Sequence, residues 1–240
     1  MARATVPSTV KWILAGESKN QRGWTVRARF LLVLVGLLAV LPADNRAAVA
    51  AVQVLRYRVK HAIYGDIGTY TNTVEQIDGT TTVLTEAHIK VTVLGIVVHR
   101  EDAQRLERWR GGRLVFFHSI TTKNGQPLEV RGEARGDSFV ITSPRGTVTA
   151  PADVHPGNPW SANVLSSDTM MRVDTGAIEP VRVSGGAETS VTINGATLRT
   201  RQYEVDGKTR YKIWLSRPEQ VPVMFSIDDD SGEITFTLAR

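Results

Sequence analysis

The chain contains no cysteine. Disulfides, thiolate metal ligands and a cysteine nucleophile are excluded, as is the lipid attachment point of a bacterial lipoprotein. It also lacks an apolar run long enough to cross a bilayer as a helix, because the longest, Phe30 to Leu41, has 12 residues where roughly 20 are needed. A surplus of one charge is missing from most of the chain as well. Residues 1–50 hold seven Lys/Arg and two Asp/Glu, so the whole net charge of +5 lies there and residues 51–240 carry equal numbers of acids and bases. Without clustered cations there is no electrostatic footprint for nucleic acid, which is excluded as a partner.

The recognised metal and catalytic spacings are absent too. The five histidines, at 61, 88, 99, 118 and 155, form neither His-x-His nor His-Glu-x-x-His, no Gly-x-Ser-x-Gly elbow occurs, and no Gly-rich loop opens a helix. No metal, cofactor or catalytic residue is assigned. If Gly95 turns a hairpin, His88 and His99 approach diagonally across it. His118 and Ser119 are neighbours on a strand and point to opposite faces, so one cannot serve the other as base. The acidic stretch Asp228 to Glu233 reads as a solvated hairpin and not as a calcium loop.

What the chain does contain begins with Arg27, Arg29, the run Phe30–Leu41, Pro42 and the small-x-small triplet Ala48-Val49-Ala50. These are the three regions of a secretory signal peptide with cleavage after Ala50. The expected division is residues 1–50 as extension and signal, with an apolar region at 30–41, and 51–240 as a single β-rich domain. A start at Val26 would shorten the unusually long segment before the basic pair. The expected location is periplasmic or secreted, the alternative being an inner-membrane anchor at residues 30–41. Membrane contact is then expected only through an uncleaved signal.

From Val52 onward, alternating runs are closed by turn dipeptides: Asp78-Gly79, Gly111-Gly112, Asn124-Gly125, Gly136-Asp137, Arg145-Gly146, Asn194-Gly195, Asp206-Gly207 and Ser231-Gly232. Gly65 to Gly68 interrupts the first runs, and the apolar phase slips at Gly95. His99 to Trp109 is strongly polar and reads as an exposed strand, with a helix as the competing assignment. Pro151 to Trp160 is the longest irregular segment, and Ser166-Ser167-Asp168 are placed to cap a helical turn through Met171. Short turns between about a dozen strands dictate antiparallel pairing, since parallel strands need long crossovers. The expected fold is an all-β, mostly meander domain forming an open or closed barrel, with a two-sheet sandwich as the alternative.

Ile67-Gly68, Trp109 with Gly112-Arg113-Leu114, Ser119-Ile120-Thr121 before Asn124-Gly125, Pro159-Trp160 with Asn163 and Leu165, Thr175-Gly176, and Trp214 with Gly232 and Leu238 together resemble an uncharacterised proteobacterial envelope family, a domain of unknown function with a signal peptide. The resemblance spans about residues 54 to 238. It departs from the family pattern at Ser161, where Asn is usual after the Trp, and at Leu215, where Tyr is usual. It implies export and an all-β fold, and no residue role.

The loop from Pro151 to Leu165 is the strongest candidate for a ligand lid or mouth. Trp160 offers apolar area and a hydrogen-bonding handle, with Asn163 nearby, and the competing reading is that Trp160 plugs one end of the core. Phe116, His118 and Trp109 complete the candidate set, Phe116 and His118 sharing one face of their strand and Phe117 the other. These features point to an exported, non-enzymatic β-barrel-like protein binding an apolar or amphipathic envelope molecule, lipid-like or another small apolar ligand. A structural or assembly factor for an envelope protein is the alternative, and an envelope hydrolase the third.

Overall fold

The computed structural model describes residues 51–229 and 232–239. The expected signal region therefore lies outside the described residues, as does part of the acidic turn after Asp228. The first eight strands are β1 (Ala51–His61), β2 (Gly65–Ile77), β3 (Thr80–Val93), β4 (Ile96–Arg110), β5 (Arg113–Lys123), β6 (Gln126–Arg135), β7 (Ser138–Ser143) and β8 (Gly146–Pro151), each pairing antiparallel with the next. The cause is local. In β1, Leu55, Tyr57, Val59 and His61 are buried while Arg56, Arg58 and Lys60 are exposed, the period of a strand with one wet face. At Asp78-Gly79, Asn124-Gly125 and Asn194-Gly195 both turn residues take positive φ, the requirement of a type I′ hairpin.

An irregular link follows, containing three short strands, β9 (His155–Pro156), β10 (Thr169–Met171) and β11 (Ile178–Pro180), which form a small sheet. Then β12 (Arg182–Ile193), β13 (Ala196–Asp206), β14 (Arg210–Ser216), β15 (Pro222–Asp229) and β16 (Gly232–Leu238) make a second meander. The two meanders are joined where β16 pairs with β1, Leu238 opposite Tyr57 and Ile234 opposite His61. The result is one 13-stranded antiparallel sheet in the order β12 to β16, then β1 to β8, with β8 and β12 as its edges. The fold is thus an open, barrel-like meander.

The sheet curls around its own link. Met170 belongs to a core with Tyr57, Tyr70, Ile213, Phe225 and Phe236, while its neighbour Met171 belongs to a second core with Trp109, Leu114, Phe117, Phe139 and Ile141. Adjacent residues of a strand point to opposite sides, so β10 is a buried partition with an apolar layer on each face.

Three local expectations are corrected. The helical turn lies at Ala162–Leu165, a 3-10 turn capped by Ser161, whereas Thr169–Met171 is strand; burial and pairing of both methionines outweigh the capping potential of Ser166 to Asp168. The chain reverses at 62–64, and Gly65 to Gly68 already belongs to β2. His99 to Trp109 is strand but not an exposed one, because Ala103, Arg105, Glu107 and Trp109 are all buried. From Glu101 to Trp109 it is also paired with a neighbour on both sides, so that part offers no free edge for a partner.

Candidate functional site

A cavity of about 530 Å³ opens between the two meanders. Its apolar wall comes from alternate inward positions: Ile67 and Tyr70 of β2, Ala87, Ile89 and Val91 of β3, Phe225 and Ile227 of β15, and Ile234 and Phe236 of β16. The aromatic floor is closely packed, Phe225 stacking on Phe236 at 4.3 Å between ring centres and Tyr70 meeting Phe236 edge-on at 5.3 Å.

The opposite wall is ionic. Arg105 and Glu101 come from β4, Lys123 from the end of β5, and Arg172 and Asp174 from the link. They form an alternating chain: Arg105 lies 3.7 Å from Glu101, Glu101 lies 3.5 Å from Lys123, Lys123 donates to Asp174 at 2.8 Å, and Arg172 lies 3.4 Å from Asp174. Cations occupy both ends, so the wall carries one more positive than negative charge. Burial alone would pull the Lys123 ammonium down, but Glu101 and Asp174 hold it above its ordinary value; burial would raise Asp174, but Lys123 and Arg172 hold it below. Arg105 is buried, and its Nε has no hydrogen-bond partner among the described residues. A buried donor without a partner carries a desolvation cost.

Between the two cores lies a second polar cluster, which meets the cavity wall at Tyr70. Glu107 is fully buried and accepts three hydrogen bonds, from Asn158 Nδ2 at 2.6 Å, Trp109 Nε1 at 2.9 Å and Trp160 Nε1 at 3.0 Å. Asn158 also receives the Tyr70 hydroxyl at 2.6 Å on its Oδ1 and donates to Thr85 at 3.1 Å, and Thr85 donates to Asn72 at 2.7 Å. Burial pushes the Glu107 carboxyl up to about 7, against the three N–H donors that favour its charged form. Burial likewise pushes the Tyr70 phenol up to about 12, with Arg105 pulling it back.

The residues singled out from sequence divide into two groups. Trp109, Trp160 and Asn163 come together around a shallow groove beside the Asp78-Gly79 and Gly111-Gly112 turns, the two indoles 5.9 Å apart. Those turns close the end of the meander opposite the cavity, whose wall reaches Tyr64 in the turn at 62–64 and Val91 and Val98 of the β3–β4 hairpin. Phe116 and His118 lie on the other face of β5, Phe116 under the Arg108 guanidinium at 5.2 Å and His118 Nε2 2.8 Å from Glu129. Ser119 points inward and is fully buried, so the Ser-His pairing is absent. His88 sits opposite Asp102, and His99 opposite Val91, so the register does not set the two histidines together.

The residues that matter most, Arg105, Glu107 and Asn158, were not singled out from sequence. A signal was present. Trp109 shares its phase with Glu107 and Arg105, so placing the Trp inside places both charges inside.

Residues 64–239 match the model of a family described as a domain of unknown function (DUF6134). No curated protein matches the sequence. Among solved structures, the chain is similar to a crystal structure described as a beta-barrel-like protein of a domain of unknown function, DUF1849, from Brucella abortus. That likeness has a TM-score of 0.59 at 10% identity and covers 79% of this chain and 98% of the other. At that identity it shows the fold alone.

Proposed function

The chain belongs to the DUF6134 family, and on that premise we propose that it is a non-enzymatic binding protein of the cell envelope, exported by its N-terminal segment, whose cavity holds an amphipathic molecule. The observation that carries the reading is the division of the cavity into an aromatic and aliphatic wall and an ionic wall with cations at both ends. A volume of about 530 Å³ lies within the range of small-molecule sites. The apolar body of the ligand packs against Tyr70, Phe225 and Phe236. An anionic or strongly accepting head meets Arg105 and Arg172, the cations at the two ends of the ionic wall.

The reading as a factor that captures an envelope protein by strand addition has less support. The edges are β8, only six residues long, and β12, whose pairing is interrupted between Gly185 and Ala187. Short strands and bulges deter strand addition.

The test is direct. Protein purified from its host under native conditions should release a stoichiometric amphipathic molecule on organic extraction, and the stripped protein should bind the anionic apolar dye anilinonaphthalene sulfonate at one site. An empty protein that binds no dye overturns the reading.

A further inference from the structure

The cavity mouth carries an apolar projection that neither core uses. The last β2–β3 pair is Gly68 with Ile89, and the last β4–β5 pair is Glu101 with Lys123. Asn124 still holds the Arg100 backbone through two hydrogen bonds of 2.8 Å, and beyond it residues 90–99 continue as a ribbon of two strands paired only with each other. Such a ribbon is marginal in water. Its tip is nonetheless apolar: Leu94 is 97% exposed, Ile96 68%, and Val97 and Val98 52% each. Ile63, 77% exposed, and Tyr64 occupy the neighbouring turn between β1 and β2. Tyr64 and Val98 also line the cavity. A contiguous exposed patch of this kind marks a contact surface.

The pattern along the ribbon identifies what covers it. Successive strand residues point to opposite faces, so Ile96, Val97 and Val98 expose apolar groups on both faces at once. A protein partner lying on one face would leave the other wet, whereas a lipid layer surrounds both. At the base of the ribbon Lys90 and Arg100 sit opposite each other, and exposed Lys60 lies next to the end of β1. Asp66 lies 3.7 Å from Lys60 and Asp102 holds Arg100 at 2.8 Å, while Lys90 has no ion-pair partner among the described residues. The ribbon's own base is thus net basic, while Asp228 and Glu233 of the β15–β16 hairpin lie beside the 62–64 turn, where the Glu233 carbonyl accepts from the Ala62 N–H and Arg210 lies 3.7 Å from Asp228. The distance of that base from Leu94 is roughly 13 Å at the rise of a strand, comparable to the depth of the headgroup boundary.

We propose that residues 92–98, with Ile63 and Tyr64, insert into the interfacial layer of an anionic lipid bilayer, with Lys90 and Arg100 at the headgroups, and so hold the cavity mouth against the lipid. The argument rests on the exposed ribbon and not on what fills the cavity, and its test uses no cavity ligand.

Because the chain has no cysteine, Leu94→Cys and Asp137→Cys each introduce a unique labelling site, the second in a turn at the opposite end of the meander. Full-length protein carrying a polarity-sensitive dye at either site is mixed with vesicles of phosphatidylcholine and an equal part of phosphatidylglycerol. The dye at position 94 should shift to the blue and be quenched by lipid-borne quenchers, and the dye at 137 should do neither. The residues before Ala51 are the same in both proteins, so the difference reports orientation. Adding Ile96→Asp, or Lys90→Glu, to Leu94→Cys should abolish or weaken the response while the far-UV spectrum stays unchanged. Equal responses at both positions, or none at 94, overturn the proposal. A shift at 94 that needs no vesicles and grows with protein concentration also overturns it, in favour of contact between two copies. Dye binding in the cavity, measured separately, is untouched by either result.

Discussion

Asn158 donates its side-chain amide to Glu107 at 2.6 Å, joining the irregular link to the middle of β4. The bond fixes where the link crosses the interior, because Asn158 simultaneously holds Tyr70 and Thr85. In a buried network each member satisfies several others, and losing one orphans the rest.

Asn158→Ala should therefore destabilise the protein by about 3 kcal/mol, more than one hydrogen bond is worth, since Glu107, Tyr70 and Thr85 each lose a partner. Equilibrium urea unfolding measures it. Asn158→Asp should be worse at neutral pH, where two carboxylates face each other, and should recover part of the loss in acid. A loss within half a kcal/mol for the alanine variant would show that the network does not hold the link.

Glu107 makes stability depend on pH with a definite sign. Its folded value, about 7, lies above its ordinary value, so the folded state keeps a proton that the unfolded state releases. Stability from this group should be complete in mild acid, fall as pH rises between the two values, and level off above about 7, a total of about 3 kcal/mol. His155, pushed down by burial, acts in the opposite sense over part of the same range, while the depressed Asp102, Glu129 and Asp174 act only in stronger acid. The diagnostic is thus the difference between wild type and Glu107→Gln across about pH 5 to 8. The variant should lose the fall. It should also start less stable, because its amide presents a donor to donors.

At Gly68 an added Cβ would lie 1.9 Å from the His88 carbonyl oxygen, on a backbone with φ of +153°. Backbone cannot yield there without parting β2 from β3. Gly68→Ala should cost about 3 kcal/mol or more. Hydrogen exchange should localise the damage to the amides of residues 66–70 and 87–90, and uniform protection would contradict it.

Ile89→Trp fills the cavity from a half-buried position on its wall. It should weaken anilinonaphthalene sulfonate binding roughly tenfold or more by occupying the apolar volume, with thermal stability held or raised. A variant that binds the dye as wild type does would place the dye elsewhere.

Most strands were legible because the information that sets them is short-range: alternation in β1 or β13, and a positive-φ pair such as Asn124-Gly125. The join of β16 to β1 was not, because pairing Leu238 with Tyr57 depends on sheet curvature that no local pattern encodes. Polar residues in β4 misled for a related reason. Glu107 and Arg105 look solvated when read alone, and only the arrival of Asn158 and Trp160 from a distant segment makes their burial affordable. Trp160, a candidate for the mouth of the barrel on its sequence, lies beside the Gly111-Gly112 turn, at the end away from the cavity. The ionic wall was illegible because Lys123, Asp174 and Arg105 lie on three separate segments.

The pairing of β1 with β16 also governs the order of assembly. The first described strand has one neighbour at once and waits for its second until the last described strand has formed. Until then Tyr57 and Val59 present an open seam, and the hydrogen-bonding row that Leu238 will cover stays bare. Long-range closure of this kind slows folding and exposes an adhesive edge meanwhile.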